Sequence, residues 1–442
     1  LELALDQLDD QTFYFSAARS ELSALNAAVG LSPKKSRIWR GPSSNWDQYR
    51  RAVDEVLVRL DEAPNREEPP LPVLARTASS AENIGDAYDM VIQPPELAPT
   101  DGGYSEERLQ AIDDWAYNGD FEVESAGDGL DLTVVVGRNG EEVGELSIAI
   151  GAEDPDDATI QEVEIADQAE ENTEIDEQME EIRDLCGETS RLKVYYDTGH
   201  TLSNGSLFEV RFRDQPFRGW NWQTFSGDYD VSKEKPDDFP DPNLNDPWDD
   251  QGDWSLFKWV FDAWRAGSLP WSSDTAEGWL ASDDGAGEIA DFIHFVPAGD
   301  RPEISLIHVK AAGSTSPNRQ ISVSKYEVVT AQAVKNIRNL DHEALGEGLY
   351  AGISKMVGKY VWHDGQEADR GDMCGELRDV DRRPELRVIV VQPHIRKSFY
   401  QQVRGDDASS NATRLRQLDL ILNQAEQACH GVGAEFTVMS AG

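Results

Sequence analysis

Hydrophobic positions recur along this chain at two different periods. Leu3, Leu8, Phe13, Phe15, Leu22 and Leu25 fall at spacings near 3.6, and Tyr49 to Leu60 repeats the pattern. Residues 1–62 therefore read as a helical region, broken by a loop at Pro33-Lys34-Lys35 and Arg40-Gly41-Pro42. Residues 63–118 read as a linker with a short helix, because Ala63 to Thr100 is rich in Pro and Glu. From 119 to 253 the period shortens to two. Leu130 to Val136 and Val143 to Ile150 flank Asn139-Gly140, a dipeptide that readily takes positive φ and so marks a hairpin. Thr159 to Ile165, Leu192 to Tyr196 and Leu207 to Phe212 predict further strands, with an acidic helix from Ala169 to Leu185 among them.

The texture changes again at Trp254. Leu256, Phe257, Val260, Phe261 and Trp264 mark one face of a helix. Strands follow at Gly278 to Ala281, Ile289 to Val296 and Ile304 to Val309, the last apolar on both faces as a central strand should be. A helix from Ser322 to Leu340, a strand from Leu386 to Val391, a helix from Ala412 to Cys429 and a strand from Glu435 to Met439 complete the order α-β-β-β-α-β-α-β. Residues 254–442 thus predict a three-layer α/β domain with a mixed sheet, and the whole chain reads as α/β or α+β with an acidic β-rich domain at 119–253.

Composition adds a charge asymmetry. The chain has 442 residues with 84 Asp and Glu against 40 Lys and Arg, yet residues 301–442 hold 18 of each. All of the net −44 therefore lies before residue 301, and only 12 of the basic residues are Lys. Such a surface reads as adaptation to high salt, where a Debye length of about 3 Å at 1 M leaves carboxylates little mutual repulsion. Residues 1–300 are expected to dock a protein partner rather than nucleic acid, whose affinity comes from Lys and Arg on phosphates. No apolar run approaches the ~18 residues of a spanning helix, so no membrane segment is expected. Cys186, Cys374 and Cys429 have no metal-box or disulfide spacing, which suits a reducing cytoplasm. The start at Leu1-Glu2-Leu3-Ala4 reads as the interior of a longer protein.

Most catalytic motifs are missing. Gly352 to Lys359 has one residue too many for a phosphate-binding loop, His342-Glu343 lacks the second His of a zinc-protease helix, and there is no GxSxG. Asp241, Asn243 and Asn245 start like a calcium loop but lack its Gly and its terminal Glu. One constellation stands out: Glu288 and Asp291 at one strand, then His308 and Lys310 on the next, where period-two alternation puts the last two on one face. An acid, a metal-capable imidazole and a lysine leaving a hydrophobic sheet need either a partner or a function. The plain alternative is a cross-strand ion pair between Asp291 and Lys310, with His308 a core histidine. Gln392, His394, Arg396 and Lys397 follow a later strand and suit phosphate contact or a solvated loop. The Trp-rich span from Trp220 to Trp279 reads as packing rather than as a base-stacking surface.

These residues and their order resemble the PD-(D/E)XK nuclease superfamily, over about residues 254–442. The resemblance implies a restriction-endonuclease-like fold and hydrolysis of DNA phosphodiester bonds with Mg²⁺ or Mn²⁺. It makes Asp291, Glu288 and His308 the metal-holding residues, Asp291, His308, Lys310 and Gln332 the catalytic set, and Lys335, Arg396 and Lys397 the contacts to nucleic acid. Glu327 ranks behind Gln332 on the same helix. The chain departs from the family at His308, where Glu or Asp is usual and where a nitrogen suits a hard cation less well. On an ideal strand Glu288 also points away from Asp291. More broadly the chain resembles the C-terminal portion of restriction or phage-defence helicase-nucleases, which implies a helicase or ATPase partner or an upstream motor. The alternative function is a decayed nuclease fold that scaffolds such a helicase. An acidic mimic of DNA is a third, disfavoured by the neutrality of residues 301–442.

Overall fold

The computed structural model describes residues 18–22, 27–32 and 37–40, scattered positions between 46 and 58, and most of the chain from 73 to 442. It leaves out 96–103, 127–129, 167–172, 213–215, 226–228, 240–253, 272–277, 298–300, 406–409 and some single or paired positions.

The helical reading of residues 1–62 fails over part of its length. Ala18–Leu22 (β1), Ala27–Ser32 (β2) and Arg37–Arg40 (β3) pair antiparallel in the order β1-β2-β3. Of the six residues behind the apparent period of 3.6, Leu3, Leu8, Phe13, Phe15 and Leu25 lie outside the described residues, and Leu22 ends β1. Within the described residues, Val29, Gly30, Ile38 and Trp39 are poor helix formers and pack better on a pleated surface. The described positions between 46 and 58 are helical, in the stretch where the period repeats.

The linker reading also needs correction. Val73–Thr77 (β4) and Ala87–Ile92 (β5) are strands, and only then comes the short helix Glu106–Asn118 (α1), capped by Ser105. Next are Gly119–Ala126 (β6), Leu132–Arg138 (β7), Glu141–Ala152 (β8), Ala158–Ile165 (β9), Thr173–Cys186 (α2), Leu192–Tyr196 (β10), His200–Ser203 (β11) and Ser206–Phe212 (β12). β6 to β9 form an antiparallel meander. A second antiparallel sheet has the order β4-β12-β11-β10-β5, so the supposed linker supplies both of its edges. The two sheets and both helices share one core around Trp115, Val134, Ile148, Met179, Val194 and Leu202.

The C-terminal unit starts before residue 254. Trp220–Gln223 (β13) precedes Leu256–Arg265 (α3), Trp279–Ser282 (β14), Phe292–Val296 (β15), Glu303–Val309 (β16), Ser324–Asn336 (α4), His342–Ala351 (α5), Val361–His363 (β17), Gln366–Glu367 (β18), Arg370–Arg378 (α6), Glu385–Arg396 (β19), Lys397–Arg404 (α7), Ser410–Val432 (α8) and Ala434–Ala441 (β20). They build one mixed sheet of eight strands in the order β13-β20-β19-β16-β15-β14-β17-β18. The first four run parallel and the rest alternate. α3 packs Phe257, Val260 and Trp264 on one face against Phe292, Ile307 and Val309. α4 and α8 cover the other face, with Tyr326, Val329 and Leu418 over Ile293, Leu306 and Val388. The predicted order of elements holds, with α5, β17, β18 and α6 inserted before β19. Trp220 stacks on Trp222 at 5.0 Å and meets Tyr326 edge-on at 5.7 Å, so these two rings are packing groups.

The two units meet at α4. Its cap residue, Val323, has no side chain able to accept a hydrogen bond. A buried carboxylate from β5 does so instead: Asp89 Oδ2 accepts from Val323 N at 2.6 Å, Ser324 N at 2.9 Å and Ser322 Oγ at 3.1 Å. On α4, Glu327 then takes Lys193 and the Tyr195 hydroxyl of β10. Asp89→Ala is expected to cost about 2 kcal/mol, because it strands two buried backbone donors at once, while the Ser322 hydroxyl keeps Ser324 Oγ. Asp89→Asn, which keeps an acceptor, should cost less. Denaturant unfolding of the two variants checks this, and equal stability of Asp89→Ala and wild type would refute the capping role.

Candidate functional site

The loop between β14 and β15, residues 283–291, brings carboxylates together, and buried polar bonds set its shape. Arg370 of α6 and Asp283 form a fully buried ion pair at 2.9 Å. The other oxygen of Asp283 accepts from Ile289 N at 3.1 Å, and its own N–H meets the Asp291 carbonyl at 3.2 Å. Gly285 turns the chain at φ +112, where a side chain would be strained. Glu288 closes the turn by accepting from Gly285 N at 2.9 Å.

This turn removes the objection to Glu288. β15 starts at Phe292, so residues 288 to 291 do not alternate as a strand would. Carboxylate oxygens of Asp284, Glu288 and Asp291 all lie within 4.8 Å of one another. Asp291 is fixed by Val309 N, which donates to its Oδ2 at 2.7 Å. Gln332 of α4 donates to Glu288. Asp284 was not legible as a site residue, since two adjacent acids before a Gly-rich turn read as solvated; its spacing of seven from Asp291 was the only signal.

His308 does not join this group. β15 and β16 pair Phe292 with Ile307, so the next rung sets Asp291 opposite His308. The imidazole is nevertheless fully buried and makes no hydrogen bond, and burial pushes its pKa down to about 3. Among the described residues the third donor beside Asp291 and Glu288 is Asp284, which corrects the metal-holding role given to His308. Three oxygen donors and no nitrogen form a set that fits Mg²⁺ or Mn²⁺.

Lys310 leaves the end of β16 and is already engaged. Its ammonium lies 3.2 Å from Glu234 and donates to the Tyr117 carbonyl at 3.0 Å. The neighbouring Lys235 bonds Asp284 at 2.7 Å. Burial opposes the charge of Lys235, but Asp284, Glu234 and Asp291 outweigh it and raise its pKa. For Glu234, Lys310 and Lys235 likewise overcome burial and lower its pKa. Glu234 and Lys235 precede α3 in a loop with no motif to announce them. Lys335 lies 3.6 Å from Asp113 and 5.0 Å from the centre of the Tyr117 ring. Arg396 and Lys397 stand at the end of β19, past an irregularity that follows Val391, the partner of Val309, and leaves Arg396 opposite Ala441. Gln392 and His394 instead pin the β16–α4 connection: Gln392 donates to the carbonyls of Ala311 and Lys325, and His394 Nε2 meets the Gln320 carbonyl at 2.8 Å.

Compared with known families, curated proteins and solved structures, the chain matches none. No described helix is long and apolar enough to cross a membrane.

Burial, then the charge of Asp284, push Glu288 up to about 8; burial with Glu288 and Asp284 pushes Asp291 well above the carboxylate range. Without a cation the folded cluster therefore holds protons that the unfolded chain has lost between its ordinary value of 4.5 and about 8. Stability falls as pH rises through that window. Binding of Mn²⁺ at pH 7 is expected to release at least about one proton, with affinity rising by about tenfold or more per pH unit up to about pH 8. Calorimetry in two buffers of different ionisation enthalpy measures this, and a pH-independent affinity would contradict it.

Proposed function

We propose that this chain is a metal-dependent phosphodiesterase acting on DNA, with its centre at Asp284, Glu288, Asp291 and Lys310. The observation that carries the reading is the cluster itself: three carboxylates drawn together at the end of a mixed sheet, two of them with raised pKa values, beside two lysines. Buried acids this close disfavour one another's charge, and a divalent cation relieves that cost. The β-β-β-α order around Asp291 and Lys310 supports the same reading, as does the all-oxygen donor set.

Asp284, Glu288 and Asp291 would hold the ion, which when bound polarises a phosphoryl oxygen and makes a water more acidic. Gln332 and Gly285 N orient Glu288, while Val309 N orients Asp291. Lys310 would offset the negative charge that develops on the phosphorane oxygens, once released from Glu234 and Tyr117. Lys235 offers a second cation at the same mouth. Placement within a restriction or anti-phage system, with a helicase partner, is the setting this reading suggests. The engagement of Lys310 by Glu234 and Tyr117 is also what a non-catalytic scaffold of the same fold would show.

Lys310→Ala and Asp291→Asn are each expected to lower hydrolysis by about 10²–10³, with the fold intact. The assay is cleavage of plasmid and single-stranded DNA with Mg²⁺ or Mn²⁺, carried up to about 3 M KCl. Wild-type inertness under all of these conditions moves the conclusion to the scaffold. Equal activity in wild type and both variants places the reaction elsewhere.

A further inference from the structure

The corner where α1 runs into β6 lies across the lysines of the C-terminal unit. Asp113 approaches Lys335 at 3.6 Å, and the Tyr117 ring lies under the same ammonium. The Tyr117 carbonyl takes Lys310 at 3.0 Å, and Asp120 contacts Lys325. Lys325, Gln332 and Lys335 fall within about 80° of one another around α4, on the face that also reaches Glu288. Lys325 and Lys335 are ten residues apart, or about 15 Å along the helix, a span of four to five nucleotides at 3.4 Å each. The corner thus presents two carboxylates and a carbonyl oxygen, all acceptors, to three ammonium groups, as a nucleic-acid backbone presents phosphate oxygens. Its fit is loose. A cavity of about 20 Å³ remains between Gly119, Asp120, Lys310 and Lys325, and the side chains of Asp113 and Asp120 are 49% and 38% exposed.

We propose that Asp113, the Tyr117 carbonyl and Asp120 at this corner are a built-in competitor of nucleic acid: their oxygens occupy the lysine row of α4 and Lys310, and the phosphates of a DNA strand must replace those contacts to reach the acidic cluster, while Trp115 stays seated in the core. This rests on the nuclease reading for its substrate class, and adds the surface that binds the backbone and the element that keeps it closed. Surface ion pairs are weak enough to be exchanged, so the cover is a threshold and not a permanent block.

The test uses the whole chain, without divalent ions, at the lowest salt that leaves the circular dichroism of the fold unchanged. Fluorescence anisotropy follows a labelled DNA strand of about 20 bases, alone and as a duplex. Asp113→Asn and Asp120→Asn are each expected to tighten binding about two- to fivefold, and the double variant about five- to twentyfold. The control is Asp381→Asn with Glu435→Gln, which changes net charge equally at side chains 88% and 79% exposed that pair with Arg382 and Arg387 rather than with the corner lysines. It should change affinity less than about twofold. Equal affinity of the corner variant and the control overturns the proposal. Hydrogen exchange gives an independent reading: DNA should slow exchange in residues 325–335, and faster exchange there also overturns it. Hydrolysis with Mn²⁺, run on the same proteins, separates the two conclusions. Tighter binding by the corner variant with no cleavage by any protein sinks the nuclease reading and leaves the cover standing. Cleavage by wild type with no gain in the corner variant does the opposite, and absence of both binding and cleavage sinks both.

Discussion

The carboxylate of Asp89 is the constraint on which the arrangement of this protein turns. A helix that starts in a buried place needs acceptors for its first amides, and α4 starts at Val323, which has none. The acceptor comes from another sheet more than two hundred residues earlier in the chain. The first turn of α4 is therefore capped by the β-rich unit beside it. From that start α4 carries Gln332 toward Glu288, Lys325 and Lys335 toward the corner of α1, and Glu327 toward Lys193. The two units read as separate modules in sequence but share the positioning of one helix.

The acidic cluster shows the same economy at shorter range. Asp283, one residue before the cluster, is spent entirely on structure: it neutralises the buried Arg370 and ties down the turn. Its neighbour Asp284 is turned the other way, into the cluster and against Lys235. Breaking a buried ion pair by removing one partner typically costs 3–5 kcal/mol, so the frame is stiff where the site needs it. The repulsion among the three carboxylates is then balanced by protons and by Lys235 until a stronger cation is present.

Much of the C-terminal fold was legible because its strands and helices are buried and periodic. Ile304 to Val309 and Ala412 to Cys429 are apolar enough to leave little choice, and Asn139-Gly140 marked its hairpin directly. What failed did so for stated reasons. Residues 18–40 carry too few apolar positions to define a period, and β4 and β5 sit among prolines and acids that usually mark linkers. Strand alternation and element order singled out Asp291 and Lys310, the family resemblance added Gln332, and Glu288 stood against alternation; the structure brings Asp291, Glu288 and Gln332 together. Asp284, Glu234, Lys235 and Tyr117 were not singled out, because a turn, a loop and the end of a distant helix supply them, and no local pattern encodes contacts across so many residues. His308 misled for the converse reason: strand register placed it opposite Asp291, but register alone does not say whether a buried ring reaches a ligand.

The place of β20 in the sheet has a consequence for synthesis. It is not an edge strand but lies between β13 and β19, paired with both in parallel. β13, at residues 220–223, thus emerges from the ribosome about 200 residues ahead of its only partner strand. Throughout that interval Trp220 and Trp222 have no neighbouring strand, and the nascent chain carries two exposed indoles beside a stretch of unpaired backbone.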